Sequence, residues 1–229
     1  MIEFGNALSP LLLTLKVALL ATLFSFIAGV ILSRIISQFT FPGKEWLDAV
    51  LTLPLVLPPT VLGYYLIVVL GRKGWLGQFL WENFGISLMF TWQGAVVASA
   101  VVSFPLVFKS AKASFEAVDH NLEKAARTLG SSELGVFLRV SLPLAWRGIL
   151  AGAMLAFARA MGEFGATLMI AGNLPGKTQT LSLAVYAAVQ AGNDSLATTL
   201  VLITSIVCVL VLVSSGKILK SRYIKEVDR

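Results

Sequence analysis

Two stretches of this chain, Leu47 to Leu70 and Leu88 to Phe108, run for more than twenty residues with almost no charge. A helix of about 20 apolar residues crosses the ~30 Å hydrocarbon core of a bilayer. Backbone polar groups inside lipid must be satisfied within the segment, so such stretches can only be helices here. Five of them are expected, over roughly 10–33, 48–70, 88–108, 148–171 and 195–215. Thr180 to Gln190 is apolar but only about three turns long; it is expected to be a re-entrant or interfacial helix, with a sixth, tilted span as the alternative. The fold class is therefore an all-α membrane protein of about five transmembrane helices, with residues 1–229 as one transmembrane domain. The first apolar run lacks a preceding basic region and a small-residue cleavage site, and Glu3 is the one early charge, so the run is read as a retained span.

Lysine and arginine set the orientation. With the N-terminus outside and the C-terminus inside, the inner segments carry Arg34 and Lys44, then Lys109, Lys112, Lys124, Arg127, Arg139 and Arg147, then Lys217, Lys220, Arg222, Lys225 and Arg229. Only Arg72, Lys73 and Lys177 fall outside. The net charge of +6 thus follows from topology and contact with anionic lipid; no aromatic-interleaved basic surface argues for nucleic acid. One His, one Cys and no clustered carboxylates leave no metal site, no cofactor and no catalytic constellation to expect. A Gly-rich phosphate loop is also missing, so the chain should bind no nucleotide itself.

Residues 109–147 form a polar island in this apolar background. Within it, Leu122, Ala125, Ala126 and Leu129 follow the i, i+3, i+4, i+7 spacing of one helix face. Asp119 or Asn121 can cap the start, and Gly130 can close the end in a left-handed conformation. Glu123, Lys124 and Arg127 are expected to stay wet or meet a partner. So short a helix is marginal alone, which leaves two readings: a docking element, or an amphipathic helix lying on lipid.

The run Ala125-Ala-Arg-Thr-Leu-Gly130, followed by Val140-Ser-Leu-Pro143, resembles the cytoplasmic "EAA" loop of permease subunits of ABC importers. The family pattern is Glu-Ala-Ala, three residues, Gly, nine residues, Ile, one residue, Leu-Pro. Ala125, Ala126, Gly130, Leu142 and Pro143 fall in register, and Val140 stands for Ile. Lys124 occupies the place of the family's glutamate, with Glu123 one residue earlier. The resemblance implies a type I importer permease fold, and a coupling helix in which Leu122, Glu123, Lys124, Ala125, Ala126, Arg127, Leu129 and Gly130 meet an ATP-hydrolysing subunit. Two longer stretches, Leu53-Pro-Leu-Val-Leu-Pro-Pro-Thr-Val-Leu-Gly-Tyr-Tyr65 and Phe157-Ala-Arg-Ala-Met-Gly-Glu-Phe-Gly-Ala-Thr167, are similar to molybdate importer permeases. Sulfate permeases share the second stretch, so it marks the oxyanion branch, whereas the first favours molybdate. The resemblance further implies a homodimer, an ATPase pair docked from the cytoplasm, an extracytoplasmic oxyanion-binding protein and a place in the cell's inner membrane.

Two features inside the spans invite a pathway reading. Pro54, Pro58 and Pro59 must kink or delay the second helix, either as a packing kink or as a broken helix lining a pathway with Thr60. Arg159 and Glu163, four apart in the fourth span, are best paired, because a lone charge at that depth costs about 3 kcal/mol or more. They form either a structural ion pair or, with Thr167, a stretch of pathway where Arg159 offers positive potential to a passing oxyanion. Lys16 is expected to snorkel to an interface. The rivals from other classes are a non-ABC carrier and a membrane scaffold. Carriers usually show inverted repeats and paired broken helices, and the sequence offers one break and no repeat.

Overall fold

The computed structural model describes residues 4–39 and 41–227, with side chains within 7–213. Glu3, and the side chains of the C-terminal basic cluster from Lys217 to Arg229, lie outside the described residues. All regular structure among the described residues is helical. In chain order the helices are α1 (Phe4–Gln38), α2 (Lys44–Val56), α3 (Pro59–Leu70), α4 (Trp75–Phe84), α5 (Trp92–Glu116), α6 (His120–Thr128), α7 (Glu133–Val136), α8 (Leu142–Met161), α9 (Gly165–Ala171), α10 (Leu181–Gln190) and α11 (Asp194–Val227). A π-helical turn, Phe137–Ser141, joins α7 to α8.

Four of these rods are long and apolar enough to cross a membrane: α1, α5, the run Glu133–Met161, and α11. The α2–α3 pair makes a fifth only as a bent unit, turning through 114°. Pro58 and Pro59 explain the bend, since neither can donate to the helix ladder and each ring clashes with the carbonyl four residues back. The expected span 48–70 is therefore a sharply broken one. The 10-residue α10 is too short to cross and packs with α1 and α11 around Ala7, Leu181, Ala184 and Leu200.

The expectation of a span over 148–171 is corrected at both ends. The helical rod begins at Glu133, well inside the polar island, and stops at Met161. A second break, Gly162–Glu163–Phe164, separates it from α9. Among the described residues the apolar helices are thus interrupted at a second place, where the sequence suggested one break. The island is likewise not one loop, because α5 continues through Lys109 and Lys112 to Glu116.

The bundle is built on α5. Helix α1 runs parallel to it: the Ser25 hydroxyl donates to the Ala100 carbonyl (2.9 Å), and Gly29 lies so close to Val107 that a Cβ there would come within 2.9 Å of its Cγ1. Helix α8 runs antiparallel to it. Gly148 and Gly152, four apart, face Ser114 and Ser110, and a Cβ on either would overlap a serine side chain (1.9 and 2.5 Å). Small residues at this spacing let helices approach closely where lipid supplies no hydrophobic drive between them.

Exposed Leu8, Leu12, Leu19, Leu23, Ile27, Ile31 and Ile35 line one stripe of α1. Lys16 falls on that register, and its ammonium sits over the Trp92 ring, 3.5 Å from the centroid, a cation–π contact.

Candidate functional site

One end of the bundle gathers the C-terminal end of α1, the N-terminus of α2, the C-terminal end of α5 and helix α6. Lys109 and Lys112 (2.8 Å) pair with Asp48 there and tie α2 to α5. Helix α6 forms where its sequence signals placed it. The Asp119 carboxylate accepts from the Asn121 N–H at 2.8 Å, satisfying one free amide of the first turn. At the other end Gly130 takes φ +83°. Its N–H donates to the Arg127 carbonyl and that of Ser131 to the Ala126 carbonyl, both at 3.0 Å. This is the Schellman closure, which needs a left-handed residue at that point.

The orientation of α6 was only half legible. Leu122 and Leu129 are 49% and 86% exposed, so the apolar face looks out of the bundle, with Ala125 exposed beside them. Lys124 is exposed too, with no partner among the described residues. Glu123 does the opposite of what was expected: it is 4% exposed and turned inward. Its Oε1 accepts from Arg34 Nη1 at 2.9 Å and from the Ser141 hydroxyl at 2.5 Å. Arg127 Nη2 lies 3.7 Å from its Oε2 and also reaches Glu133, where Nε–Oε1 is 2.6 Å.

Arg34 and Ser141 were not singled out from sequence, yet they hold this helix. The Arg34 guanidinium lies beside the Phe115 and Phe137 rings, 5.6 and 5.8 Å from their centroids. Ser141 belongs to the π turn, and Pro143 accounts for that turn. A proline at the second position of α8 cannot donate and crowds the carbonyl of Arg139. The ladder therefore widens, with the Leu142 N–H reaching back five residues to the Phe137 carbonyl. The legible signals were a lone arginine ending an apolar helix and the Ser-Leu-Pro motif. Burial alone would raise the Glu123 pKa, but the Ser141 and Arg34 hydrogen bonds and the Arg34 charge hold it below the usual carboxylate value.

The second candidate region is where the two breaks meet. Helices α3 and α9 cross with almost no space between them. A Cβ on Gly165 would lie 2.8 Å from Pro59 Cβ and 3.5 Å from the Thr60 amide nitrogen, and one on Gly63 would lie 2.7 Å from Met169 Cβ. Pro58, Pro59 and Thr60 are exposed at this seam. Arg159 Nη1 lies 2.8 Å from Glu163 Oε2, so the expected pair exists. It is not two residues on one helix face, however, because Glu163 lies past the end of α8. The Glu163 carboxylate is buried, and its Oε1 accepts from the Ala166 N–H at 2.9 Å, fixing the start of α9. Arg159 remains 34% exposed. Thr167 is wholly buried, its hydroxyl without a partner. No group of His, Cys, Asp and Glu able to hold a metal occurs among the described residues.

Residues 21–225 match the family described as "Binding-protein-dependent transport system inner membrane component". The chain belongs to this family. It is 49% identical over 194 residues to the molybdenum transport system permease protein ModB of Escherichia coli strain K12, covering 84% of this chain and 85% of that one. It is 39% identical over 173 residues to a probable sulfate transport system permease protein of Prototheca wickerhamii, covering 76% and 68%. Its fold is that of a chain in an inward-facing structure of the MetNI methionine ABC transporter, with a TM-score of 0.74 at 18% identity over 96% of this chain and 99% of that one. The permease is thus a multi-pass inner-membrane transport subunit of the oxyanion branch of ABC importers. The carrier and scaffold readings fall with that finding.

Proposed function

We propose that this permease forms, as a pair of copies, the translocation unit of an ATP-driven importer that carries molybdate, and its near-isostere tungstate, into the cytoplasm. The N-terminus lies outside and the polar end, residues 109–147, inside. The observation that carries the reading is the outward face of α6. A helix held down by a buried carboxylate while presenting Leu122, Ala125 and an 86% exposed Leu129 offers an apolar contact that an aqueous surface leaves unsatisfied. Leu134 and Leu138, 66% and 51% exposed, extend it. An ATPase subunit seated there moves α6, and with it the bundle, between inward- and outward-facing states. ATP hydrolysis belongs to that partner, and an extracytoplasmic binding protein delivers the oxyanion.

The pathway runs past the facing breaks, along Pro58, Pro59 and Thr60 and the Arg159–Glu163 pair, with Thr167 behind them. Arg159 supplies positive potential to a dianion, and Glu163 keeps it from binding tightly enough to stall. Molybdate is preferred to sulfate because the likeness to a molybdenum permease is greater and covers more of both chains.

Co-purification tests the docking face. A tagged wild-type chain should bring down its ATPase, and Leu129→Asp should abolish that association while leaving the spans inserted. A Leu129→Asp chain that retains the ATPase at the wild-type level overturns the assignment of this face.

A further inference from the structure

Helix α6 is flanked by non-helical segments, residues 117–119 and 129–132. A push on its outer face therefore reaches the bundle through side chains rather than through a stiff backbone. Its neighbours along the chain are α7 and the π turn. Its reach to α1, 89 residues away in sequence, is the Arg34–Glu123 hydrogen bond.

That contact is built to stay closed. Both partners are buried, at 8% and 4% exposure, and separating two buried charges leaves each unpaired in a poor solvent. The arginine is fixed by the Phe115 and Phe137 faces, and the carboxylate is fixed by Ser141. A single oxygen, Glu123 Oε1, thereby joins α1, the docking helix and the start of the α8 rod.

We propose that Arg34 and Glu123 are the positioning residues through which movement of the docking helix is passed to α1. The Ser141 hydroxyl, set in place by the Pro143-induced π turn, keeps α8 in the same joint. The assignment rests on the reading of α6 as the ATPase contact. It accounts for Lys124, because the glutamate that anchors the helix here is Glu123 and the neighbouring position is free to face out.

The test is the number of molybdate ions imported per ATP hydrolysed, measured in proteoliposomes holding the permease, its ATPase and its binding protein. Glu123→Gln and Arg34→Lys should lower this ratio about fivefold or more, the scale of a typical coupling energy. The exchange Arg34→Glu with Glu123→Arg should restore a substantial part of it. Ser141→Ala, which leaves both charges in place, should lower it less, and it carries the test if the charge variants fail to insert. A staple that serves folding alone predicts that uptake and hydrolysis fall together at constant ratio in all these variants, and that result overturns the proposal. Failure of the wild-type chain to associate with the ATPase would instead remove the underlying reading of α6, a separate outcome.

Discussion

The Arg159 guanidinium meets the Glu163 carboxylate at 2.8 Å across the end of α8, not along it. Glu163 sits in the break between two helices and also accepts from the Ala166 N–H. One carboxylate therefore neutralises an arginine and pins the start of α9. Removing Arg159 strands the buried carboxylate in a poorly solvated place.

Arg159→Ala should destabilise the permease by about 3–5 kcal/mol, the usual consequence of leaving a buried carboxylate unpaired. Replacing the pair together, Arg159→Met with Glu163→Gln, should recover most of that stability. Thermal unfolding in detergent checks both variants. Oxyanion uptake by the double variant should stay low, and wild-type uptake would remove Arg159 from the pathway.

Gly165→Ala should destabilise by about 1–3 kcal/mol, because its methyl group would land 2.8 Å from Pro59 in a contact with no room to relax. Gly135→Ala is the control. Its methyl group would meet the Ser132 hydroxyl at 3.3 Å and the Ser131 Cβ at 3.8 Å, and the change should stay within about 0.5 kcal/mol.

Lys124→Glu should leave stability within about 0.5 kcal/mol of wild type, since the residue is exposed and surface changes away from special features rarely matter more. Association with the ATPase should be preserved or strengthened. Gly130→Pro should abolish coupling, because it removes the N–H that donates to Arg127 and imposes a negative φ where +83° is needed. Pull-down yield and ATP-dependent uptake check the pair.

The Glu123 anchor should respond to acid. Its folded pKa is lowered, so its contribution is complete above the unfolded value, about 4.3 for a glutamate. It is lost as pH falls through the folded value. The gap in melting temperature between wild type and Glu123→Gln should be steady near neutral pH and close below that range. A gap that persists unchanged in acid would show that the carboxylate charge is not what holds α6.

Much of this architecture was legible because the bilayer makes backbone satisfaction so demanding. The apolar runs gave three spans outright and the middle of a fourth, Pro58-Pro59 gave the bend, and Asp119 and Gly130 gave the ends of α6. The second break was not legible. Arg159 and Glu163 at i, i+4 read as one helix face, whereas in the fold Glu163 caps the Ala166 N–H and Gly165 fits against Pro59 where α9 parts from α8. Glu123 was misplaced for a related reason: amphipathic logic sends charges to water, whereas Arg34, Phe115 and Phe137 build a buried receptor for this one. Ser141 was missed because Pro143 read only as part of the family motif, whereas in the fold it widens the helix into the π turn that sets the hydroxyl on Glu123.

The proposed function is carriage of molybdate by this permease under the power of ATP hydrolysed by a partner docked on α6. Uptake of radiolabelled molybdate into proteoliposomes holding the permease, the ATPase and the binding protein tests it most directly. Uptake should require ATP, be competed by tungstate, survive excess sulfate and vanish with Leu129→Asp. Molybdate uptake that continues after ATP depletion, or that Leu129→Asp leaves untouched, would contradict the account.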